Sequence, residues 1–158
     1  MLISEPVVSV RPCGPEDFAK LAGLHAEGFE RAWSETDFAT MFEVSGTQGW
    51  VAVESHAGTA IAFLMIRIAF DTAEILTLVT AKTARGQGLG LRLLDTARLD
   101  LRGKAVDTLF LEVAEDNVPA LRLYRRAGFR DSGRRKGYYM RKQGCVDACV
   151  MTLDLKED

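Results

Sequence analysis

The feature that most constrains the fold is a junction in the middle of the chain, where a strand leads through a glycine-rich turn into a helix. Residues 72–80 read as a strand, residues 85–90 read Arg-Gly-Gln-Gly-Leu-Gly, and apolar residues then recur at helical spacing as far as Leu101. Three glycines inside a helix would weaken it by roughly 1 kcal/mol each. We therefore expect them to form a turn that opens the helix, which Gly103 then ends.

The patterns around this junction predict an α/β domain whose strands are mostly antiparallel. Strands are expected at Val7–Arg11, Gly49–Glu54, Ala60–Ala69, Thr72–Thr80, Thr108–Val113, from Phe129 onward and at Cys145–Leu155. Helices are expected from Pro15, from Ser34 as N-cap with Asp37 completing a capping box, from Gln87, and after Asn117 as N-cap. The basic segment Arg134–Gly144 is expected to be a loop. No repeat or linker interrupts residues 1–158, which predicts a single domain.

Composition narrows the classes of partner. A net charge of −2 argues against a general nucleic-acid binder. Cys145 and Cys149 would lie roughly 13 Å apart in one strand, too far for a disulfide. Neither they nor Cys13 has metal-like partners, so we expect buried or half-buried thiols, no metal, and a reducing compartment. Residues 1–6 lack the pattern of a signal peptide, and no apolar stretch reaches membrane-spanning length. We expect a cytoplasmic monomer or weak dimer that binds neither nucleic acid nor membrane.

The glycine turn itself, Arg85–Gly90, has two interpretations. Its glycines could supply the positive φ of a tight strand-to-helix connection, or could leave backbone N–H groups open toward an anion at the helix N-terminus. A Walker loop needs Gly-Lys-Ser/Thr, and a dinucleotide fingerprint needs a different third glycine, so neither matches. The spacing that is present is Arg-x-x-Gly-x-Gly, formed by Arg85, Gly88 and Gly90.

This spacing resembles the pyrophosphate-binding signature of the GNAT superfamily of N-acetyltransferases. A second segment, residues 117–129, is similar to the same superfamily in its pattern Asn-x-x-Ala-x-x-Leu-Tyr-x-x-x-Gly-Phe. The resemblance implies a GNAT fold, in which a mixed, mostly antiparallel sheet of about seven strands is flanked by about four helices and splays at the cofactor site. It also implies acetyl-coenzyme A as cofactor and direct attack of an amine on the thioester.

The resemblance further implies which residues bind the cofactor. The strand before the turn would offer main-chain groups of Leu78, Val79 and Thr80 to the thioester and pantetheine. The turn would hold the pyrophosphate, and Asn117 would contact the cofactor arm in addition to capping its helix. The turn residues so implied are Arg85, Gly86, Gln87, Gly88, Leu89 and Gly90.

Two residues carry the predicted chemistry. Glu112 interrupts an otherwise apolar strand, so it is either a solvent-facing residue or a carboxylate placed in a site. A protein α-amino group is mostly protonated at neutral pH, and the resemblance makes Glu112 the general base that removes the proton, acting through water. Tyr124 lies on the next helix on the face of Asn117 and Leu121, and is either a packed ring or the acid for the departing thiolate.

Within the superfamily the chain is most similar to the RimI-like ribosomal-protein alanine N-acetyltransferases. Ala32-Trp33-Ser34 and the run Arg134–Tyr139 support this, while Lys136-Gly137 and Cys145-Val146 depart from the pattern on the acceptor side. Trp33, Tyr138 and Tyr139 are the predicted acceptor contacts, and the acceptor is a protein N-terminus of a small-subunit ribosomal protein. The alternatives are an acetyltransferase of a small amine, such as an amino acid, polyamine or drug, and a non-catalytic acyl-coenzyme A binding module.

Overall fold

The computed structural model describes residues 7–156; the expectation that residues 1–6 are no signal peptide falls outside this range. The strands are β1 (Val8–Pro12), β2 (Thr47–Glu54), β3 (Ala60–Ala69), β4 (Thr72–Thr80), β5 (Thr108–Ala114), β6 (Arg130–Arg141) and β7 (Gly144–Asp154). The helices are α1 (Phe18–Gly28), α2 (Glu35–Glu43), α3 (Leu89–Arg102) and α4 (Val118–Arg126), with short 3-10 turns at Pro15–Asp17 and Lys82–Ala84.

The strands form one seven-stranded sheet in the order β1-β2-β3-β4-β5-β7-β6. The pairs β1–β2, β2–β3, β5–β7 and β6–β7 are antiparallel, whereas β4 pairs with β5 in parallel. That parallel register covers Thr72–Glu74 against Thr108–Phe110, although β4 continues to Thr80 and β5 to Ala114. The predicted fold class, a mixed sheet of seven strands with four helices, is confirmed.

The chain divides into two compact units. The first, here the N-terminal unit, comprises residues 7–67 and 76–97. Its core contains aromatic rings from both early helices and from β3: Phe38 lies 6.5 Å from Phe18 and 5.7 Å from Phe63 between ring centroids. All three rings are buried. The apolar stripe of α3 adds Leu93, Leu94 and Ala97 in this unit, as its helical spacing predicts.

The second, here the C-terminal unit, comprises residues 68–75 and 98–156. In β5 one face is buried through Leu109, Leu111 and Val113, while Phe110 and Glu112 on the other face are partly exposed. The α4 ring Tyr124 packs against Phe129 with centroids 5.5 Å apart. Strand β5 lies inside the sheet, in agreement with its apolar sequence.

The expectation of a loop at Arg134–Gly144 is wrong. Most of this segment belongs to β6, which pairs with β7 from Arg130↔Thr152 to Arg141↔Gly144. Its sequence lacks apolar alternation because β6 is the last strand of the sheet and nearly all its side chains are exposed. Charged side chains are characteristic of such edge strands, where they discourage pairing with another chain.

The cysteines are all unpaired, and the expectation of buried or half-buried thiols is correct for two of them. Cys13 and Cys149 are partly buried, whereas Cys145 is exposed. The difference arises because Cys145 is the second residue of β7, beside the exposed end of β6, with Met140 as its partner. In the part of the chain that the structure describes, no helix is long and apolar enough to cross a membrane.

Candidate active site

The glycine turn joins the end of β4 to α3 in the N-terminal unit. Gly86 and Gly88 have φ of +79° and +76°, a region that side chains with a Cβ rarely adopt. A Cβ built on either glycine would meet no atom within 4 Å, so the space beside the turn is open. The glycines are therefore required by backbone conformation, and they leave the turn accessible.

This turn fits an anionic group such as a pyrophosphate. The first N–H groups of α3 have no acceptor within the helix, and the helix dipole places partial positive charge there. The Gly88 carbonyl accepts the Arg92 N–H at 3.1 Å, which fixes the first turn of the helix. Arg85, Gly86, Gln87 and Gly88 are exposed, Leu89 is buried beneath them, and Gly90 is partly buried.

In β4, the strand before the turn, buried side chains alternate with half-buried ones. Val79 is buried and lies 3.9 Å from the position of a Cβ on Gly28, whereas Leu78 and Thr80 are half-buried. After Thr80, the Ala81 N–H donates to the Ile61 carbonyl at 2.8 Å and ends the strand.

Trp33 lies in the connector between α1 and α2, in the same unit. Its indole stacks on the imidazole of His25, with centroids 4.5 Å apart and planes 13° apart, and its backbone N–H donates to His25 Nδ1 at 3.0 Å. The side chain is half-buried. Sequence reasoning gave His25 no role and missed this contact with Trp33. Among residues 7–156, no three His, Cys, Asp or Glu side chains converge to hold a metal.

Glu112 lies in the C-terminal unit, on the partly exposed face of β5. Both of its carboxylate oxygens accept hydrogen bonds from Nη1 of Arg135, each at 3.1 Å. The side chain of Glu112 is 23% exposed and that of Arg135 is 53% exposed. The carboxylate is therefore accessible to a molecule outside the protein, with a resident cation as its partner.

Tyr124 is buried at 7% exposure on α4. Burial raises the pKa of its hydroxyl, and the nearby Tyr139 raises it further. Burial also raises the pKa of Tyr139, with smaller contributions in the same direction from Tyr138 and Glu112. Tyr139 is therefore close enough to interact electrostatically with both Tyr124 and Glu112.

The two adjacent tyrosines of β6 follow an irregularity in the strand. Arg135 pairs with Ala148 and Tyr139 with Val146, so four residue steps of β6 oppose two of β7. We call the three residues between these pairs, Lys136–Tyr138, the bulge; they lie opposite the single residue Asp147. Gly137 within it has a φ of +61°, and its N–H donates to Asp147 Oδ1 at 2.8 Å. The hydrogen bond from the Gly137 N–H holds the pKa of Asp147 below its usual range, and the positive charges of Arg134 and Lys136 lower it further.

The bulge presents Tyr138 outward, at 52% exposure. Its ring meets that of Tyr139 edge to face, with centroids 5.0 Å apart. The guanidinium of Arg135 lies 4.8 Å from the Tyr138 ring centroid, and that of Arg141 lies 5.5 Å from the Tyr139 centroid. Such cation–π contacts help to order both rings at an exposed site.

Arginines of β6 are anchored by carboxylates on neighbouring segments. Arg134 pairs with Glu115 and, at 2.7 Å, with Asp147, while Arg141 pairs with both oxygens of Asp116 at 3.0 Å. Sequence reasoning took the run at Arg134 mainly for a solvated loop and gave Arg141 and Asp116 no role. The available signal was the excess of arginine in one segment and of carboxylates in another: Arg134, Arg135 and Arg141 on β6, and Glu112, Glu115 and Asp116 on or just after β5.

Asn117 caps α4, as predicted: its Oδ1 accepts the Ala120 N–H at 3.3 Å. It is exposed and belongs to the same unit as Glu112, Tyr124, Tyr138 and Tyr139. The turn residues, Leu78–Thr80 and Trp33 belong to the N-terminal unit. The predicted site residues thus fall into two sets, one within each unit.

Comparison with known proteins identifies the class. The family model described as the acetyltransferase (GNAT) family matches residues 18–129, more than half of the chain. The chain therefore belongs to the acetyltransferase (GNAT) family. Membership makes it an N-acetyltransferase with acetyl-coenzyme A as the acetyl donor.

Individual relatives are similar over nearly the whole chain. The [ribosomal protein bS18]-alanine N-acetyltransferase of Escherichia coli K12 is 31% identical over 136 residues, which span 85% of this chain and 90% of that protein. The crystal structure of the Escherichia coli ribosomal-protein-S18-alanine N-acetyltransferase superposes with a TM-score of 0.87 at 25% identity, over 96% of each chain. Arabidopsis thaliana NAA60, crystallised with acetyl-CoA, shares the fold with a TM-score of 0.82 at 23% identity, over 96% of this chain and 100% of its own.

Proposed function

We propose that this chain acetylates the N-terminal α-amino group of a protein, and that the acceptor is a ribosomal protein with an N-terminal alanine. The observation that carries the proposal is the 31% identity, over 85% of this chain and 90% of the relative, to an enzyme named for that reaction. A cytoplasmic location belongs to the same proposal, because ribosomal proteins are synthesised and assembled there.

In this proposal the glycine turn and β4 bind acetyl-coenzyme A, which supplies the acetyl group as a thioester. Arg85 and the backbone N–H groups from Gly86 to Gly90 would hold the pyrophosphate, because they lie at an open helix N-terminus. Main-chain groups of Leu78, Val79 and Thr80, with Asn117, would hold the arm that carries the acetyl group.

Glu112 is the proposed general base. An α-amino group with a pKa near 8 reaches the enzyme mostly as an ammonium ion, and a carboxylate attracts it and removes its proton through water. The Arg135–Glu112 pair is partly exposed, and partly exposed pairs contribute about 1 kcal/mol or less. An incoming ammonium can therefore compete with Arg135 for the carboxylate.

Tyr124 is the proposed acid. A tyrosine hydroxyl is already protonated at neutral pH, so Tyr124 can donate a hydrogen bond to the departing thiolate. Burial raises the pKa of Tyr124 and makes it a weaker acid, so its proton moves to the sulfur only as negative charge develops there. Tyr139 interacts electrostatically with both residues: it raises the pKa of Tyr124, and Glu112 raises the pKa of Tyr139.

Trp33, Tyr138 and Tyr139 are the proposed contacts for the acceptor. Tyr138 and Trp33 are partly exposed aromatic side chains whose rings are ordered by Arg135 and His25, respectively. Exposed, ordered aromatic rings offer an apolar surface on which a peptide backbone with a small first side chain can pack.

The test is acetylation of a peptide mixture with acetyl-coenzyme A, read by mass spectrometry. We expect acetylation at the α-amino group of peptides that begin with alanine, and none on matched peptides whose α-amino group is already blocked but which keep a lysine. Spermidine and free amino acids are included in parallel. Acetylation of these small amines without acetylation of any peptide would contradict the proposal and favour a small-amine acetyltransferase.

A further inference from the structure

His25 is a buried titratable side chain that the proposed reaction does not use. It lies in the last turn of α1 at 2% exposure, although histidine is seldom so fully buried. The other histidine, His56, is exposed in the turn after β2. The environment of His25 therefore calls for an explanation.

Three aromatic rings surround the imidazole. It is stacked between Phe29, at 4.3 Å and 14°, and Trp33, at 4.5 Å and 13°, and the ring of Phe38 meets it edge-on at 6.0 Å. Phe29 and Trp33 lie at the two ends of the connector between α1 and α2, whereas Phe38 belongs to α2. One side chain thus contacts both ends of the connector and the helix that follows it.

Hydrogen bonds reinforce the same arrangement. The His25 carbonyl accepts the Phe29 N–H at 3.1 Å, and its Nδ1 accepts the Trp33 N–H at 3.0 Å. Because Nδ1 is the acceptor, the neutral ring carries its proton on Nε2. An imidazolium would carry a proton on Nδ1 as well, and two donors would then face each other at Trp33.

We propose that His25 is the positioning residue of the acceptor-side connector, and that its neutral imidazole holds Trp33 in the place where the acceptor binds. This inference rests on the proposed function, in which Trp33 contacts the acceptor. It concerns a residue that acts through Trp33 and does not itself touch the substrate.

The arrangement makes the connector sensitive to acid. Burial lowers the pKa of His25 below 6.5, so the neutral ring is favoured in the folded chain. Because the pKa of the folded state is the lowered one, the contact is complete at pH 6.5 and above and is lost as the pH falls through that lowered pKa. The charged side chains next to the ring in the chain are Glu27, Glu30 and Arg31, and those of α2 are Glu35, Asp37 and Glu43. All six are exposed, and Asp37 accepts the Ser34 N–H.

The test uses the fluorescence of Trp33, because loss of the contact on protonation moves the half-buried indole into water, where its emission is weaker. We expect the emission of the wild-type chain to fall with acid, with a midpoint below pH 6.5. The change should be absent in Trp33→Phe and in His25→Phe, and present in His56→Gln, the matched histidine control. A pH-dependent change that persists in His25→Phe, or a midpoint at or above pH 6.5, would overturn the inference.

Kinetics then connect the contact to the acceptor. His25→Phe keeps a stacking ring but has no acceptor for the Trp33 N–H, so we expect the KM for peptide to rise about fivefold while the KM for acetyl-coenzyme A stays unchanged. His25→Asn, whose amide oxygen can accept the N–H, should recover part of this loss. An unchanged peptide KM in His25→Phe overturns the positioning role. Failure of the wild-type chain to acetylate any peptide contradicts the proposed function instead, and the fluorescence titration then decides alone whether His25 holds Trp33.

Discussion

The glycine turn and strand β6 hold their functional groups in opposite ways. The turn at Arg85–Gly90 works through backbone conformation, with two glycines at positive φ and open space beside them. Strand β6 works through side chains, since its arginines pair with carboxylates and stack on its tyrosines. A backbone-built site depends on a few residues that lie next to each other, whereas a side-chain-built site depends on many residues from different segments.

The largest effects are expected on the side-chain side, at the two proposed catalytic residues. Tyr124→Phe should lower kcat by about 10²-fold, because the proton donor is lost, with the affinity for coenzyme A retained.

The turnover of Glu112→Gln should be impaired most at neutral pH and should recover in part as the pH rises, because the amine then loses its own proton. Steady-state kinetics from pH 6 to 9 check both. A ratio of Glu112→Gln to wild type that is flat with pH would remove Glu112 from the base role.

The backbone side is tested at Gly88. A β-branched residue at φ +76° is strained, so Gly88→Val should cost about 1–2 kcal/mol in stability and weaken coenzyme A binding about tenfold or more. Gly58→Val is the matched control, since Gly58 also has a positive φ, +64°, and open space, but lies in the turn after β2. Calorimetry and thermal unfolding separate the two effects. Equal coenzyme A affinity in both variants would mean that the turn does not bind the cofactor.

A smaller effect is expected at Asp147, which fixes the bulge. Asp147→Asn should raise the peptide KM about threefold without changing the KM for acetyl-coenzyme A, because the charge that holds Arg134 and the Gly137 N–H is lost. Because the pKa of Asp147 is lowered, its carboxylate stays ionised, and its contacts with Arg134 and the Gly137 N–H stay intact, until the pH falls below the usual pKa range of an aspartate. Asp131→Asn, which breaks the exposed Arg125–Asp131 pair, is the control and should leave both KM values unchanged.

The smallest effect compares one thiol from each compact unit. Cys145, exposed at the end of β6 and β7, should react with a thiol reagent at pH 8 well before Cys13 in the N-terminal unit. Burial, reinforced by Asp17, raises the pKa of Cys13 to about 12, so little of it is thiolate. Absorbance of the released thiol should show one fast phase that Cys145→Ser removes. A second fast phase that Cys13→Ser removes would show that the N-terminal unit opens more readily than its buried core indicates.

Much of the fold could be predicted because its signals are short-range. The capping box of α2 forms as expected, with the Asp37 N–H on Ser34 Oγ at 3.1 Å and the Ser34 N–H on Asp37 Oδ2 at 2.8 Å. The apolar spacing of α3 likewise predicted its buried face. The start of β6 was predicted, but its continuation beyond Arg134 could not be recognised, because an exposed edge strand need not alternate between apolar and polar residues and its partners lie elsewhere in the chain.

The sequence by itself determined the glycine turn, the helix caps and the class of enzyme, since each depends on residues a few positions apart whose backbone preferences act locally. Only the tertiary structure decided that Arg135 pairs with Glu112, 23 residues away, that Arg141 pairs with Asp116, 25 residues away, and that His25 holds Trp33 across a connector. Those contacts depend on strand register and helix packing, which bring distant side chains together in ways that no local propensity encodes.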